Sequence, residues 1–357
     1  MQAASSTTEP VPAGFGRPQL IFFCELAGPR LHALLSDQAT IAMLVAGGHG
    51  VALATHHLDD STAGAVRILN HHAIPVVAWM LLAPAEGTWL NLQNYPQAIE
   101  RYRALRAWAV GHGLRIQAIG LDIQPPLALV GRLQRWGPQH LMRRLWQART
   151  NVLFAAARTA YAELIGEMHH DGYEVHSYQL PIIADDRRAG SSLAQRALDI
   201  VDVPADLEVL LCYARAAFPL PPGDLGGALV RSYGPDADGV GIGPVGAHVG
   251  ARPLPWEAFE RDLLLAAHHA DVIYIATLEG CVERGLLTRI AALDWSIEPV
   301  VQPWMRAAVG LSRGLIFGFL LLARFSRALF AWLGWCLFAM LLARQLRSSM
   351  QRRQVRP

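Results

Sequence analysis

The sequence contains no lysine, so all 31 of its basic residues are arginines. Schiff-base aldolases, pyridoxal-phosphate enzymes and P-loop nucleotide hydrolases all depend on a lysine, and its absence excludes these classes. Cysteine is also scarce, and the four residues Cys24, Cys212, Cys281 and Cys336 form no C-x-x-C pair. Neither a zinc ribbon nor a disulfide framework is indicated, and a reducing compartment fits the sequence best.

Charged residues make up only 17% of the 357 residues, whereas apolar residues make up 52%. This composition excludes an intrinsically disordered chain. Acidic residues are missing from 299–357, which holds nine arginines, so residues 1–298 carry 22 basic against 29 acidic side chains. The basic charge lies in an apolar tail and not in a folded patch, which argues against nucleic-acid binding.

The first 18 residues are polar and proline-rich, with neither a basic start nor an apolar core. They predict a short disordered leader and not a signal peptide, so we expect the body of the protein to stay in the cytosol.

From Leu20 onward, short runs rich in Val, Ile and aromatic residues recur, and each is followed by turn residues and a helical pattern. Continuous apolar runs are typical of parallel strands buried on both faces. Eight βα units of about 30 residues predict a (β/α)8 barrel of the TIM type over residues 19–298. The eight predicted strands are residues 20–25, 51–56, 74–81, 116–123, 173–180, 207–213, 239–245 and 271–278.

Two parts of this pattern are irregular. The seventh run, GVGIGPVG, has four glycines and little bulk to pack. If it is a loop, a doubly wound open sheet becomes the alternative fold. Residues 125–172 form a long insert that predicts one or two helices at the rim of the barrel.

Three of the predicted strands end in a carboxylate: Glu25, Asp122 and Glu279. Strand ends converge on the active site of such barrels, so these residues are the candidate catalytic groups. Period-two alternation places Asp122 with Gln124, and Thr277 with Glu279, on one face of their strands. Asp59 and Asp60 are instead expected to cap the next helix. The candidate substrate-binding residues are Gln124, Trp79, His176, Tyr178, Tyr213 and Arg215.

The ending GLDIQPP at residues 120–126 resembles the fourth strand of glycoside hydrolase-like barrels, including the chitinase-like group. In that group the strand ends in D-I-E-P, and its Glu protonates the glycosidic oxygen. The resemblance implies a hydrolase acting on carbohydrate, with Asp122 as nucleophile or base and tryptophans such as Trp79 and Trp89 stacking on sugar rings. Gln124 replaces the usual acid and cannot give up a proton, so Glu279 or Glu25 would have to supply it. A barrel that binds a glycan without cleaving it is an alternative.

A metal-dependent isomerase or hydrolase is a further alternative. Glu25, Asp122, His176 and Glu279 are residue types that bind Mg²⁺, Mn²⁺ or Zn²⁺, although no short-range metal motif is present. The glycosidase-like prediction requires no cofactor, and the alternative requires a divalent metal.

The tail contains two apolar stretches, 314–323 and 328–343, separated by Arg324 and Arg327. Neither stretch alone has the roughly 20 residues that a spanning helix needs. On a helical wheel, the four arginines at positions 306, 313, 324 and 327 form a narrow stripe. This pattern predicts that residues 304–343 bind membrane lipid on the cytoplasmic face, as an in-plane helix or a shallow re-entrant hairpin, with the arginines at the headgroups. Pairing of this helix with its copy in a homo-oligomer is the alternative.

Overall fold

The structure, a computed structural model, describes residues 17–213, 225–246 and 253–354. The predicted leader therefore lies almost wholly outside the described residues. Eight strands pair in parallel, each with its sequence neighbours, and β1 pairs with β8 to close the barrel. The (β/α)8 prediction is confirmed, and the open-sheet alternative is wrong. The strands are β1 Gln19–Cys24, β2 Gly50–Ala54, β3 Val76–Met80, β4 Ala118–Asp122, β5 Glu174–Gln179, β6 Leu207–Leu211, β7 Gly239–Ile242 and β8 Val272–Ala276.

Helices surround the barrel, and extra helices occur after several strands. Asp59 caps α3 as predicted, with its carboxylate accepting a hydrogen bond from the Thr62 backbone N–H at 2.8 Å. The insert between β4 and β5 contains the two helices α5 and α6. The helices are α1 Gly28–Ser36, α2 Gln38–Gly47, α3 Asp60–His71, α4 Tyr95–Gly111, α5 Leu127–Ala148, α6 Leu153–His170, α7 Ile182–Arg188, α8 Leu193–Leu198, α9 Gly226–Tyr233, α10 Trp256–Ala267, α11 Leu278–Glu283, α12 Leu286–Ala291 and α13 Pro303–Gln354.

The glycine-rich seventh run forms β7 because its neighbours supply the bulk that it lacks. A Cβ atom added to Gly241 would lie 2.6 Å from a methyl carbon of Leu211 on β6. Gly120 on β4 likewise leaves room for Tyr178, whose hydroxyl a Cβ at that position would strike. Glycine at these two positions lets large side chains from adjacent strands fill the barrel interior.

The tail is one continuous helix, α13, of 52 residues, which corresponds to a length of about 78 Å. The hairpin alternative is therefore wrong. Two segments, Pro303–Ser326 and Ala328–Gln345, are long and apolar enough to cross a membrane by length and composition, which corrects the expectation from the shorter apolar stretches.

The first segment of α13 packs on the barrel, where Met305, Val309 and Leu320 are buried. Arg313 and Arg324, two members of the predicted arginine stripe, contact the barrel side of the molecule, although Arg324 stays exposed. The Arg313 guanidinium binds the carboxylates of Asp185 and Asp236, and Arg324 donates to the Ala189 carbonyl at 2.8 Å. The expectation that this stripe meets lipid headgroups is therefore wrong for Arg313, because two carboxylates next to the barrel already bind its guanidinium.

Candidate active site

Asp122 is the last residue of β4 and is fully buried at the carboxyl end of the barrel. Its side chain lies on the interior face, and its Oδ2 accepts a hydrogen bond from the indole N–H of Trp79 at 3.2 Å. Its backbone carbonyl accepts from the Leu90 N–H at 2.9 Å, so the loop after β3 holds the main chain as well. Side chain and backbone of Asp122 are thus both positioned by the segment from β3 onward.

Four aromatic rings fill the barrel beside and beneath Asp122. The Phe23 ring lies at the centre, with centroid distances of 4.7 Å to Trp79, 4.9 Å to Tyr178 and 5.1 Å to Tyr274. Trp79 is only 2% exposed, so it contacts Phe23 and Asp122 and presents no open stacking surface. Burial raises the pKa of Tyr178 well above its usual range, with the charges of Tyr274 and Asp122 adding to the effect. Tyr178 therefore stays a neutral phenol.

Gln124 lies two residues beyond Asp122, and its side chain is also fully buried. Its backbone N–H donates to the Leu90 carbonyl at 3.0 Å. Neither its side-chain oxygen nor its side-chain nitrogen has a hydrogen-bond partner among the described residues. An unpaired buried amide is destabilising by about 1–3 kcal/mol, so this arrangement favours a ligand that supplies both a donor and an acceptor.

Glu279 does not continue β8 as the alternation predicted. The strand ends at Ala276, Thr277 caps α11, and Glu279 lies in the first turn of that helix. Period-two reasoning failed here because the chain turns into a helix immediately after the strand. The structure nevertheless brings Glu279 to Glu25, whose backbone N–H donates to Glu279 Oε1 at 3.2 Å.

The carboxyl group of Glu279 has the environment of a proton donor. Burial raises its pKa above the usual value, outweighing the backbone N–H donors, and the charge of Glu25 raises it further. Its Oε2 has no hydrogen-bond partner within the part of the chain that the structure describes. Asp122 and Glu279 thus lie at the same end of the barrel in different surroundings.

Of the other predicted binding residues, two lie at the interior aromatic cluster and one lies outside the described residues. Tyr213, just after β6, is buried in the same interior cluster as Trp79 and Tyr178. Arg215 lies outside the described residues. Trp89 is half-buried and packs against the interior cluster from the loop after β3.

His176 lies level with Gly120, one layer nearer the amino end of the barrel than Asp122. Its Nδ1 is paired with the Tyr274 hydroxyl, and its Nε2 lies 3.8 Å from a Glu174 carboxylate oxygen. Burial lowers the pKa of this histidine. His176 is thus a hydrogen-bonded residue of the barrel interior, away from Glu25 and Glu279.

The four-residue metal set of the alternative prediction is not assembled. Across residues 17–213, 225–246 and 253–354, no three His, Cys, Asp or Glu side chains are grouped so as to hold a metal ion. The physical reason is the placement of His176, which faces Glu174 and Tyr274 instead of the barrel mouth.

Arg101 was missed by the sequence analysis. This residue of α4 reaches the end of β2, where its guanidinium donates to the carbonyls of Thr55 and His56, the latter at 2.9 Å. It is one of several arginines on α4, and nothing in the local pattern distinguishes it. Its contacts place a cation at the edge of the candidate site.

No protein-family model matches this sequence, and no curated protein matches it. Solved structures match in fold. Tryptophan synthase from M. tuberculosis has a TM-score of 0.37 at 15% identity, over 78% of this chain and 90% of its own. A family 2 AP endonuclease from Brucella melitensis has a TM-score of 0.42 at 13% identity. The match covers 75% of this chain and 98% of the endonuclease chain.

A sugar phosphate isomerase/epimerase from Parabacteroides distasonis has a TM-score of 0.41 at 9% identity, over 78% of this chain and 99% of its own. These low identities and TM-scores concern the TIM-barrel fold and carry no argument about activity. None of the three is a glycoside hydrolase.

Proposed function

We propose that the barrel is a glycoside hydrolase-type enzyme acting on a carbohydrate. The observation that carries the proposal is the buried pair Asp122 and Gln124, which lies at the carboxyl end of the barrel with the Gln124 amide unpaired among the described residues. A planar amide that offers one acceptor and two donors matches the neighbouring hydroxyl groups of a sugar ring.

The residues then have separate roles. Glu279, whose pKa burial raises, donates a proton to the glycosidic oxygen as its bond to the sugar breaks. The Asp122 carboxylate, aligned by the Trp79 N–H, attacks the anomeric carbon or activates the attacking water. Gln124 orients a sugar hydroxyl, and the half-buried Trp89 provides the accessible aromatic surface. Retention or inversion of the anomeric configuration in the product distinguishes the two roles of Asp122.

Activity on a panel of chromogenic glycosides tests this proposal. We expect Glu279→Gln and Asp122→Asn to abolish turnover, whereas Glu283→Gln, an exposed residue of the same α11 helix, leaves it unchanged. Equal activity of all three variants would contradict the assignment. Loss of activity on chelation would instead support the metal-dependent isomerase or hydrolase alternative.

A glycan-binding barrel without catalysis is the second candidate. Gln124 favours it, because glutamine stands where the resembling barrels carry their proton donor. Glycan-array binding that requires Gln124, together with no turnover of any glycoside, would establish this function.

We also propose that α13 holds the protein on the cytoplasmic face of a membrane. Large apolar side chains stay exposed along the helix, and from Phe330 to Leu342 they lie on all sides of it. Protease added to sealed, right-side-out cells tests the topology: cleavage of a C-terminal tag from outside would show that the helix crosses.

The division into leader 1–18, barrel 19–298 and tail 299–357 belongs to the same proposal. Limited proteolysis of the full chain is expected to cut between these parts before it cuts within them. A homo-oligomer formed through α13 is the competing explanation. It predicts a detergent-independent complex in light scattering.

A further inference from the structure

Two cavities adjoin where α13 crosses α8. The first, of about 570 Å³, lies between α5, α8 and α13 and has an almost wholly apolar lining. Its size is that of a small-molecule pocket. Its lining includes Leu145, Ile182, Leu198, Leu315, Phe319 and Leu320.

The second cavity, of about 380 Å³, lies further along α13 and is polar. Arg149, Arg196 and Arg324 line it together with Ser191, Ser192 and Ser326, and its lining contains no acidic residue. The two cavities lie against successive turns of the same two helices. Leu320 of α13 belongs to the apolar cavity, and Arg324, one turn later, belongs to the polar one.

None of the three arginines has a carboxylate partner among the described residues. Nearby arginines form ion pairs, as Arg144 does with Asp199 at 2.7 Å and Arg187 with Glu208 at 2.7 Å. By contrast, Arg149 donates to the Ser326 hydroxyl and the Ala323 carbonyl, Arg196 to the Ser192 hydroxyl, and Arg324 to the Ala189 carbonyl.

Each guanidinium has five N–H donors, so most of these donors stay available at the polar cavity. Arg196 also lies over the Phe154 ring at 4.4 Å, which leaves its N–H edges uncovered. Three cations lining one cavity without a counter-charge, next to hydroxyl groups, are the chemistry that recognises a phosphate group. An apolar cavity of hydrocarbon character next to such a site matches an acyl chain.

We infer that this junction binds an anionic phospholipid, with its phosphate on Arg149, Arg196 and Arg324 and an acyl chain in the apolar cavity. The inference rests on the proposed membrane docking of α13, whose exposed apolar segment Ala328–Gln345 begins two residues after Ser326. The site would give that docking a preference for anionic membranes.

Binding of short-chain lipids to the full chain in neutral detergent tests the inference. We expect phosphatidylglycerol to bind at least about fivefold more tightly than phosphatidylcholine, and Arg149→Gln and Arg196→Gln each to weaken it about fivefold. Arg30→Gln on α1, an exposed arginine, is the charge-matched control and should have no effect. Equal affinity for both lipids, or equal behaviour of all three variants, would overturn the inference.

A separate variant tests whether the apolar cavity binds the acyl chain. Leu315 lines the apolar cavity and is 66% exposed, so Leu315→Gln is tolerated by the fold. It should weaken phosphatidylglycerol binding but leave competition by inorganic phosphate unchanged. An unaffected lipid affinity, with phosphate binding as tightly as the lipid, would show an anion site and overturn the assignment to phospholipid.

Vesicle flotation separates this inference from the docking on which it rests. With pure phosphatidylcholine vesicles, wild type and Arg196→Gln should float equally. With about one third phosphatidylglycerol, wild type should gain binding that the variant lacks. Failure of every protein to float refutes docking, while the detergent measurement still decides the lipid site.

Discussion

The barrel and α13 contain the same types of apolar residue, but these side chains are buried in the barrel and exposed along much of α13. In the barrel, Phe23, Trp79 and Tyr274 are buried against one another, because eight strands provide facing surfaces. In the second segment of α13, Phe330 and Trp332 are more than 70% exposed, because none of the elements that the structure describes packs over them. A closed sheet supplies its own apolar environment, whereas a projecting helix has to find one in lipid or in another chain.

Charged side chains, by contrast, are buried in both regions. Asp122 is buried in the barrel and aligned by an indole N–H, and Arg313 of α13 is buried against two barrel carboxylates. The first segment of α13 therefore belongs to the barrel by its contacts, and only the second segment is free. Perturbing each region separately tests this division.

Removal of residues 328–357 should give the largest effect. We expect complete loss of membrane sedimentation with an unchanged melting temperature, because no part of the described segment Ala328–Gln345 is buried. Removal of 299–357 should release the protein too, but should lower the melting temperature by at least about 5 °C, because it removes the buried contacts of Met305, Val309 and Leu320 and the Arg313–Asp185 ion pair. Thermal unfolding of both truncations makes the comparison. Equal melting temperatures would contradict the division of α13.

Asp122→Asn is expected to lower kcat/KM on a responsive glycoside roughly a thousandfold. Asparagine keeps an acceptor for the Trp79 N–H but cannot act as a nucleophile or base. The melting temperature should stay close to that of the wild type. A parallel loss of stability would identify Asp122 as a structural residue of the barrel.

Arg313→Ala should lower the free energy of unfolding by about 3 kcal/mol, because it strands Asp185, which is 1% exposed, without its cation. Arg306→Ala, on an exposed position of the same helix, is the control and should change stability by less than about 0.5 kcal/mol. Urea unfolding measures both. A stable Arg313→Ala variant would mean that α13 does not depend on this contact.

Trp79→Phe should lower kcat about tenfold with little change in KM, because it removes the N–H that aligns Asp122 but leaves the ring packed on Phe23. A change confined to KM would point to direct substrate contact instead.

The raised pKa of Glu279 predicts a pH dependence of both activity and stability. Between the unfolded and folded pKa values, the folded state binds more protons, so stability falls as the pH rises through that window. Activity should fall over the same window as the acid ionises. Glu279→Gln should flatten the stability profile, and unfolding measured against pH compares the two proteins. An unchanged profile would show that Glu279 does not titrate there.

Much of the fold could be predicted from local pattern alone. The eight apolar runs, the Asp59 cap and the helices of the insert follow from hydrophobic periodicity and turn residues, which are properties of short segments. Asp122 and Gln124 were also accessible, because polar residues in a buried strand have to be accounted for by a partner or a ligand.

Other assignments depended on contacts between distant residues. Glu279 was placed on a strand because the period-two alternation of a strand does not show where the chain turns into a helix. His176 was proposed as a ligand because one sequence does not show that Tyr274, almost a hundred residues away, pairs with it. Arg101 carried no local signal at all.

The sequence by itself determined the barrel, its carboxylate-bearing strand ends and an apolar, acid-free tail. Composition and residue spacing are enough to show which segments must be buried and where the charges lie. Only the tertiary structure decided that Trp79 aligns Asp122, that Glu25 meets Glu279 and that Arg313 pairs with Asp185 and Asp236. The direction in which a side chain points depends on which partner lies within about 3 Å of it, and that is fixed only when distant segments pack together.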